Sequence, residues 1–269
     1  MSSTGVTGTA AEAARRLRDE FLQQNRGPDY VPALTVRSFP SLGVSYRVWS
    51  TKSTRVCHLL SQLEFMAWLH AEFTVSVTDI REQFLVASAE EAADMARKLG
   101  LDPPCYSGSS PGPTTDLLLT TSQAGLVGYL AVNCKYQSDM KNPRVIELQA
   151  IEQELWSKRG VPWRQFNEET LSAAQYQNML WLFAFRRPDR FMPTHSVLRD
   201  RLVDTMAAAV RAYAAVPVGE LVTRIARTMG VPPGTVSAAV RFALAQGVLH
   251  SDLSIAFSPY KSPEELQWS

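Results

Sequence analysis

Apolar residues recur with two different periods along this chain, and the change from one to the other divides it. Up to about residue 165, alternating runs are interleaved with helical stripes. Ala11, Ala14, Leu17 and Phe21 share one face of a helix expected over 8–24, with Arg15, Arg16 and Arg18 on its solvated sides. Residues 33–50 read as extended and end in the alternation Val44, Tyr46, Val48. A helix is expected from Val56 to Ala71, then a strand through "VTDIREQF" at 77–84. That strand is bracketed by Phe73, Val75 and Val77 before and Phe84, Leu85 and Val86 after, yet it is charged in its middle. A second helix over 88–100 opens on Ser88-Ala89-Glu90-Glu91, a capping box, and stops at Gly100. The run "DPPCYSGSSPGPT" is a loop by its proline, glycine and serine content. Strands at 114–120 and 127–136 follow, joined by a turn around Ser122–Gly125, and then a long helix from Pro143 to Arg159 that closes at Gly160.

From residue 166 the pattern turns almost wholly helical: Leu171–Phe185, Ser196–Ala214, Gly219–Met229 and Thr235–Gln246. The last two are separated by "GVPPGT" and followed by "GVLHSDLSIAFS", which reads as an extended pair. Helix, short glycine-containing turn, helix and extended pair form a winged helix-turn-helix pattern. The expected architecture is therefore an α/β domain over 1–165, a mixed sheet flanked by helices, and an all-α, winged-helix-like domain over 166–269.

Composition narrows the setting. A chain of 269 residues, 45% hydrophobic and 20% charged, has room for two folded domains. Its net charge of +1 excludes a chain-wide basic field, so any polyanion site depends on local clustering. Cys57, Cys105 and Cys134 are odd in number and form no CxxC pair, which points to a reducing compartment. The opening residues lack the apolar core of a secretory signal, and no run approaches the roughly 20 apolar residues of a membrane span. A cytoplasmic protein is expected.

Three stretches carry candidate chemistry. In "HLLSQLEFMAWLH" Glu64 shares a helix side with Leu60 and Trp68, so it is either an edge acid or a carboxylate held by a cation. Asp116 opens the strand "TTDLLLT", and Asn133 and Lys135 alternate on one face of "VGYLAVNCKYQ". In a hairpin they lie beside Asp116, as a plain Asp116–Lys135 ion pair or as part of a site. Two carboxylates and an amide oxygen are hard ligands suited to Mg²⁺. A lysine beside them can position water and stabilise charge on a phosphate. In "VTDIREQF", Asp79 and Arg81 share a face and can pair, while Glu82 and Gln83 split across both; these four read as a polar cluster buttressing the site, with Glu82 as a possible extra ligand. Arg55 and Arg241 are the candidate DNA contacts. The tail holds few cations, Arg224, Arg227 and Arg241, and suits protein docking at least as well as DNA.

The ordered series "SLGVSYRVWSTKSTRVCHLLSQLE", "VTDIREQF", "TTDLLL", "VNCKY" and "VIELQAIEQELWSKRGVPW", across residues 35–165, resembles the TnsA-type endonuclease subunit of heteromeric transposases. That family is a branch of the restriction-endonuclease-like PD-(D/E)xK nucleases. The resemblance implies catalytic positions for Glu64, Asp116 and Lys135, with Asn133 where the wider superfamily has an acid. It also implies metal ligation by Glu64, Asp116, Asn133 and the Cys134 main-chain carbonyl, Mg²⁺ as cofactor with Mn²⁺ substituting, and cleavage of the 5′ strands at transposon ends. The partners it implies are DNA, an integrase-like transposase and an AAA+ ATPase, the last contacted by the C-terminal domain. The rival readings are a non-catalytic winged-helix adaptor and a free-standing restriction-type nuclease.

Overall fold

The computed structural model describes residues 20–23, 25–38, 43–106, 112–187 and 196–269. The helix expected at 8–24 lies outside these except for residues 20–23, which are helical. The chain divides into two compact units, one ending at Asn167 and one beginning at Glu168.

In the first unit, β1 (Tyr46–Ser50) and β2 (Arg55–Leu59) form an antiparallel hairpin. Helix α1 (Gln62–Phe73), strand β3 (Val77–Leu85) and helix α2 (Ala89–Leu99) follow. Strands β4 (Thr114–Gln123) and β5 (Leu126–Cys134), helix α3 (Pro143–Lys158) and strand β6 (Trp163–Phe166) complete it. The main sheet runs β3-β4-β5-β6, antiparallel except for the β5/β6 pair. That pair is parallel because α3 carries the chain back across the sheet before β6, as a parallel neighbour requires.

Two sequence expectations need correction. The helix expected from Val56 begins only at Gln62, because Arg55, Cys57 and Leu59 alternate inward while Val56 and His58 turn outward. The apolar run after His58 hid that alternation. Ser61 then starts the helix by accepting the Glu64 amide on its side chain. Second, strand structure starts at Tyr46, and residues 33–38 form bends and a turn. Elsewhere the local signals hold. Ser88 accepts from the Glu91 amide, and Gly100 closes α2 at φ 69°. The β4–β5 turn is tighter than expected: Ala124 and Gly125 both have positive φ, as a two-residue hairpin turn demands.

The core of this unit lies between α2, α3 and the sheet. Ile151, Leu155 and Trp156 of α3 meet Phe84 of β3, Val86 just past it, Leu118 of β4, Ala131 of β5 and Met95 and Ala96 of α2. Strand β3 is buried on both faces, so its polar middle is internal.

The second unit contains α4 (Ala173–Phe183), α5 (Ser196–Ala212), α6 (Val218–Met229) and α7 (Pro233–Ala245). Leu202, Met206 and Val210 of α5 pack with Leu221 and Ile225 of α6 and with Val236 and Val240 of α7. The turn between α6 and α7 begins at Gly230, φ 67°. The extended pair expected after α7 is not formed as strands: residues 246–269 run through turns, tied by reciprocal backbone bonds between His250 and Ser269 at 3.0 and 3.2 Å. Too few consecutive residues pair there for a ladder to propagate.

Candidate active site

Four elements bring the candidate residues together. Glu64 sits in the first turn of α1 and folds back onto its own helix start. Its Oε2 accepts the Leu60 amide at 2.8 Å, and its Oε1 accepts the Ser61 hydroxyl at 3.0 Å. Asp116 sits on β4, where its Oδ2 accepts the Cys134 amide at 2.6 Å across the β4–β5 ladder. Gln83 of β3 spans the gap between them: its Nε2 donates to Glu64 Oε2 at 3.2 Å and to Asp116 Oδ1 at 3.3 Å. Gln83 has φ 47°, a left-handed backbone that its side-chain bonds, including Oε1 from the Thr114 hydroxyl at 3.1 Å, hold in place. Sequence reading put this glutamine in a supporting cluster; the structure makes it the tie between the two acids.

Glu64 is buried and Asp116 is half-buried beside it. Burial, then the charge of Asp116, pushes the Glu64 carboxyl up to about 8. Burial also raises Asp116, against the opposing pull of the Cys134 amide and the Lys135 charge. Lys135 and Asp116 line one cavity of about 260 Å³ together with Asn133, Glu152, Gln149 and Tyr106.

Asn133 is turned toward α3. Its Oδ1 accepts Gln149 Nε2 at 2.8 Å and its Nδ2 donates to Glu152 Oε2 at 2.9 Å, which leaves its oxygen one lone pair for another contact. Glu152 was missed in sequence. It is buried, accepts the Thr115 hydroxyl at 2.5 Å and the Trp163 indole at 3.1 Å, and is raised to about 7, chiefly by burial. Its signal was available: Gln149, Glu152 and Trp156 fall at i, i+3 and i+7 on the buried stripe of α3, where polar residues are out of place.

The remaining cluster of β3 is internal scaffolding. Glu82 is paired with both terminal nitrogens of Arg55, Nη1 to Oε1 at 2.8 Å, and accepts the His58 amide at 2.9 Å. Asp79 lies 3.5 Å from Arg81 Nε, and Arg81 also donates to Leu22 O at 2.6 Å and Thr120 Oγ1 at 3.3 Å. The DNA-contact expectation for Arg55 needs correction: its guanidinium is buried, committed to Glu82 and to Ile80 O, and stacked 4.8 Å from the Tyr30 ring. Arg241 in α7 is half-buried, 4.7 Å over the Trp181 ring and 5.4 Å over Phe185.

Among the described residues, no three His, Cys, Asp or Glu side chains form a cluster that could hold a metal ion alone. The donor set at hand is mixed: two facing carboxylates, an amide oxygen and main-chain carbonyl groups at the end of β5. Two neighbouring acids tied through one amide, each raised above its ordinary pKa with burial as the main cause, fit a hard divalent cation.

Residues 74–168 match the family model described as TnsA-like endonuclease N terminal. Transposon Tn7 transposition protein TnsA of Escherichia coli is 31% identical over 186 residues, covering 69% of this chain and 67% of that protein. The chain belongs to the TnsA family. The matched segment of the family model begins just before β3 and contains Gln83, Asp116, Asn133, Lys135 and Glu152, while Glu64 lies ahead of it. No helix among the described residues is long and apolar enough to cross a membrane.

Proposed function

We propose that this TnsA-family chain is the Mg²⁺-dependent endonuclease subunit that cuts the 5′ strands at transposon ends. It would act with an integrase-like transposase on the 3′ strands and with an AAA+ ATPase regulator. The observation that carries this reading is the convergence of Glu64, from a helix, and Asp116, from a strand, on one glutamine amide beside a lysine-lined cavity.

Glu64 and Asp116 would hold the metal, with Asn133 Oδ1 and the Cys134 carbonyl as further donors and Mn²⁺ as a substitute. Bound there, the ion would acidify a water and offset charge building on the phosphate. The chain supplies the rest. Ser61, Leu60, Gln83 and Cys134 fix both carboxylates by donating to them, so their geometry does not depend on the ligand. Lys135, on the cavity wall, orients the attacking water and stabilises the phosphate oxygens. Glu152 and Gln149 hold the Asn133 amide in one rotamer.

We assign the C-terminal unit, as a winged-helix-like module, to docking of a protein partner, because two of the three cations in its α6–α7 segment, Arg224, Arg227 and Arg241, are already engaged. Arg224 pairs with Glu220 and Arg241 stacks on aromatic rings. In a reaction assembled with the transposase subunit and Mg²⁺, Asp116→Ala and Lys135→Ala each lower 5′-strand cleavage by at least about 100-fold while binding to the transposase persists. Full cleavage by either variant overturns the proposal.

A further inference from the structure

With Arg55 internal, the nuclease unit needs other groups to hold its substrate, and the hairpin β1–β2 offers them. Its inner face, Val48, Ser50, Arg55, Cys57 and Leu59, turns into the protein. Its outer face consists of two cross-strand rungs, Arg47 opposite His58 and Trp49 opposite Val56. Arg47 is exposed, and Trp49 and Val56 are each 38% exposed. Arg37, also exposed, lies close enough to act on His58: burial is the main cause of that imidazole's lowered pKa, and Arg47, Arg55 and Arg37 push the same way against Glu82.

Two further facts give this face a sign and a place. Residues 30–63 contain no aspartate or glutamate, and of their four cations Arg37 and Arg47 stay exposed, Arg55 being taken up by Glu82 and Lys52 by the Thr74 and Val77 carbonyls. Acids are nearly as numerous as bases over the whole chain, so this local excess is the clustering that a net charge of +1 required. Among the described residues neither Arg37 nor Arg47 has a carboxylate partner, whereas Arg97, Arg144 and Arg224 on helices each do. The hairpin also ends at the active site. Leu60, just past β2, donates to Glu64 at 2.8 Å, and Tyr46, first in β1, donates its hydroxyl to Gln62. At about 3.3 Å per strand residue, the Arg47–His58 rung lies about 10 Å from the Glu64 carboxylate, one or two phosphates along a DNA strand.

We propose that the outer face of β1–β2, with Arg37, Arg47, His58 and Trp49, is a DNA-backbone platform that holds the duplex next to the bond being cut. This rests on the nuclease reading for its purpose but is tested by binding alone. The cations neutralise phosphates, and Trp49 and Val56 pack against sugar edges, so the contact carries orientation without base sequence.

The test uses the full chain, alone and with the transposase subunit, and a mixed-sequence duplex of about 30 base pairs, three helical turns. Calcium replaces magnesium so that binding is read without cleavage, by anisotropy across a salt series. Arg37→Gln with Arg47→Gln lowers the slope of log affinity against log salt by about 2 and weakens binding on the order of 10- to 100-fold near physiological salt. Arg97→Gln, an exposed arginine paired with Asp94, changes neither. An unchanged slope and affinity in the double variant, alone and in the complex, overturns the proposal. Loss of transposase binding with the DNA slope intact also overturns it and assigns the face to protein. If the wild type binds with the expected slope yet never cleaves, the nuclease reading fails and the platform stands.

Discussion

Replacing Asp116 with asparagine removes one of two neighbouring charges while keeping the side chain's size. The shared Gln83 nitrogen lies 3.2 Å from Glu64 Oε2 and 3.3 Å from Asp116 Oδ1, so those oxygens are at most about 6.5 Å apart. At an effective dielectric near 20, two unit charges at that distance repel by about 2.5 kcal/mol. The repulsion exists only where both groups are ionised. Glu64 is raised from 4.5 to about 8, so its proton favours the folded state below pH 4.5, and that stability is lost as pH climbs through about 8. Metal-free wild-type protein therefore weakens across this window, and Asp116→Asn weakens less. The measurement is urea unfolding of both proteins in a chelator, near pH 9 and near pH 5.5. Subtracting the two differences cancels the hydrogen bonds that asparagine changes at either pH and leaves the charge effect, about 1–2.5 kcal/mol in favour of the variant at high pH. The same variant is inactive in strand cleavage. A stability difference that does not vary with pH would mean that the two carboxylates do not share a site.

The metal itself gives a companion result: because Glu64 holds a proton up to about pH 8, Mg²⁺ affinity measured calorimetrically rises about tenfold per pH unit below that value and levels off above it. A flat profile removes Glu64 from the ligand set. Arg55→Ala strands the fully buried Glu82 and costs about 3–5 kcal/mol of unfolding free energy. A stable variant with a selective DNA-binding defect would restore the external role that its burial denies. Glu152→Leu takes the acceptor from Asn133 and Trp163, leaves Thr115 only the Val132 carbonyl at 3.4 Å, and destabilises the fold by about 3 kcal/mol in chemical denaturation.

Local chemistry written into the chain was legible without coordinates. Ser88 and Gly100 bound α2 because a hydroxyl acceptor and a left-handed residue are short-range requirements, and the alternation of 114–120 and 127–136 defines a hairpin for the same reason. The family resemblance likewise singled out Glu64, Asp116, Asn133 and Lys135 as candidates; the structure ties Glu64 to Asp116 through Gln83 and sets Asp116, Asn133 and Lys135 around one cavity. Direction and partnership were not legible, since they depend on what packs from elsewhere. Arg55 looks like any surface arginine until β3 delivers Glu82 beneath it. Asn133 turns toward α3 because that helix crosses the sheet and presents Gln149 and Glu152. Gln83 becomes the bridge between two acids only because α1 and β4 meet at its strand. Side-chain type and spacing belong to the sequence; which buried donor meets which acceptor is decided by elements dozens of residues apart, because an unpaired polar group inside the fold costs too much to leave unmatched.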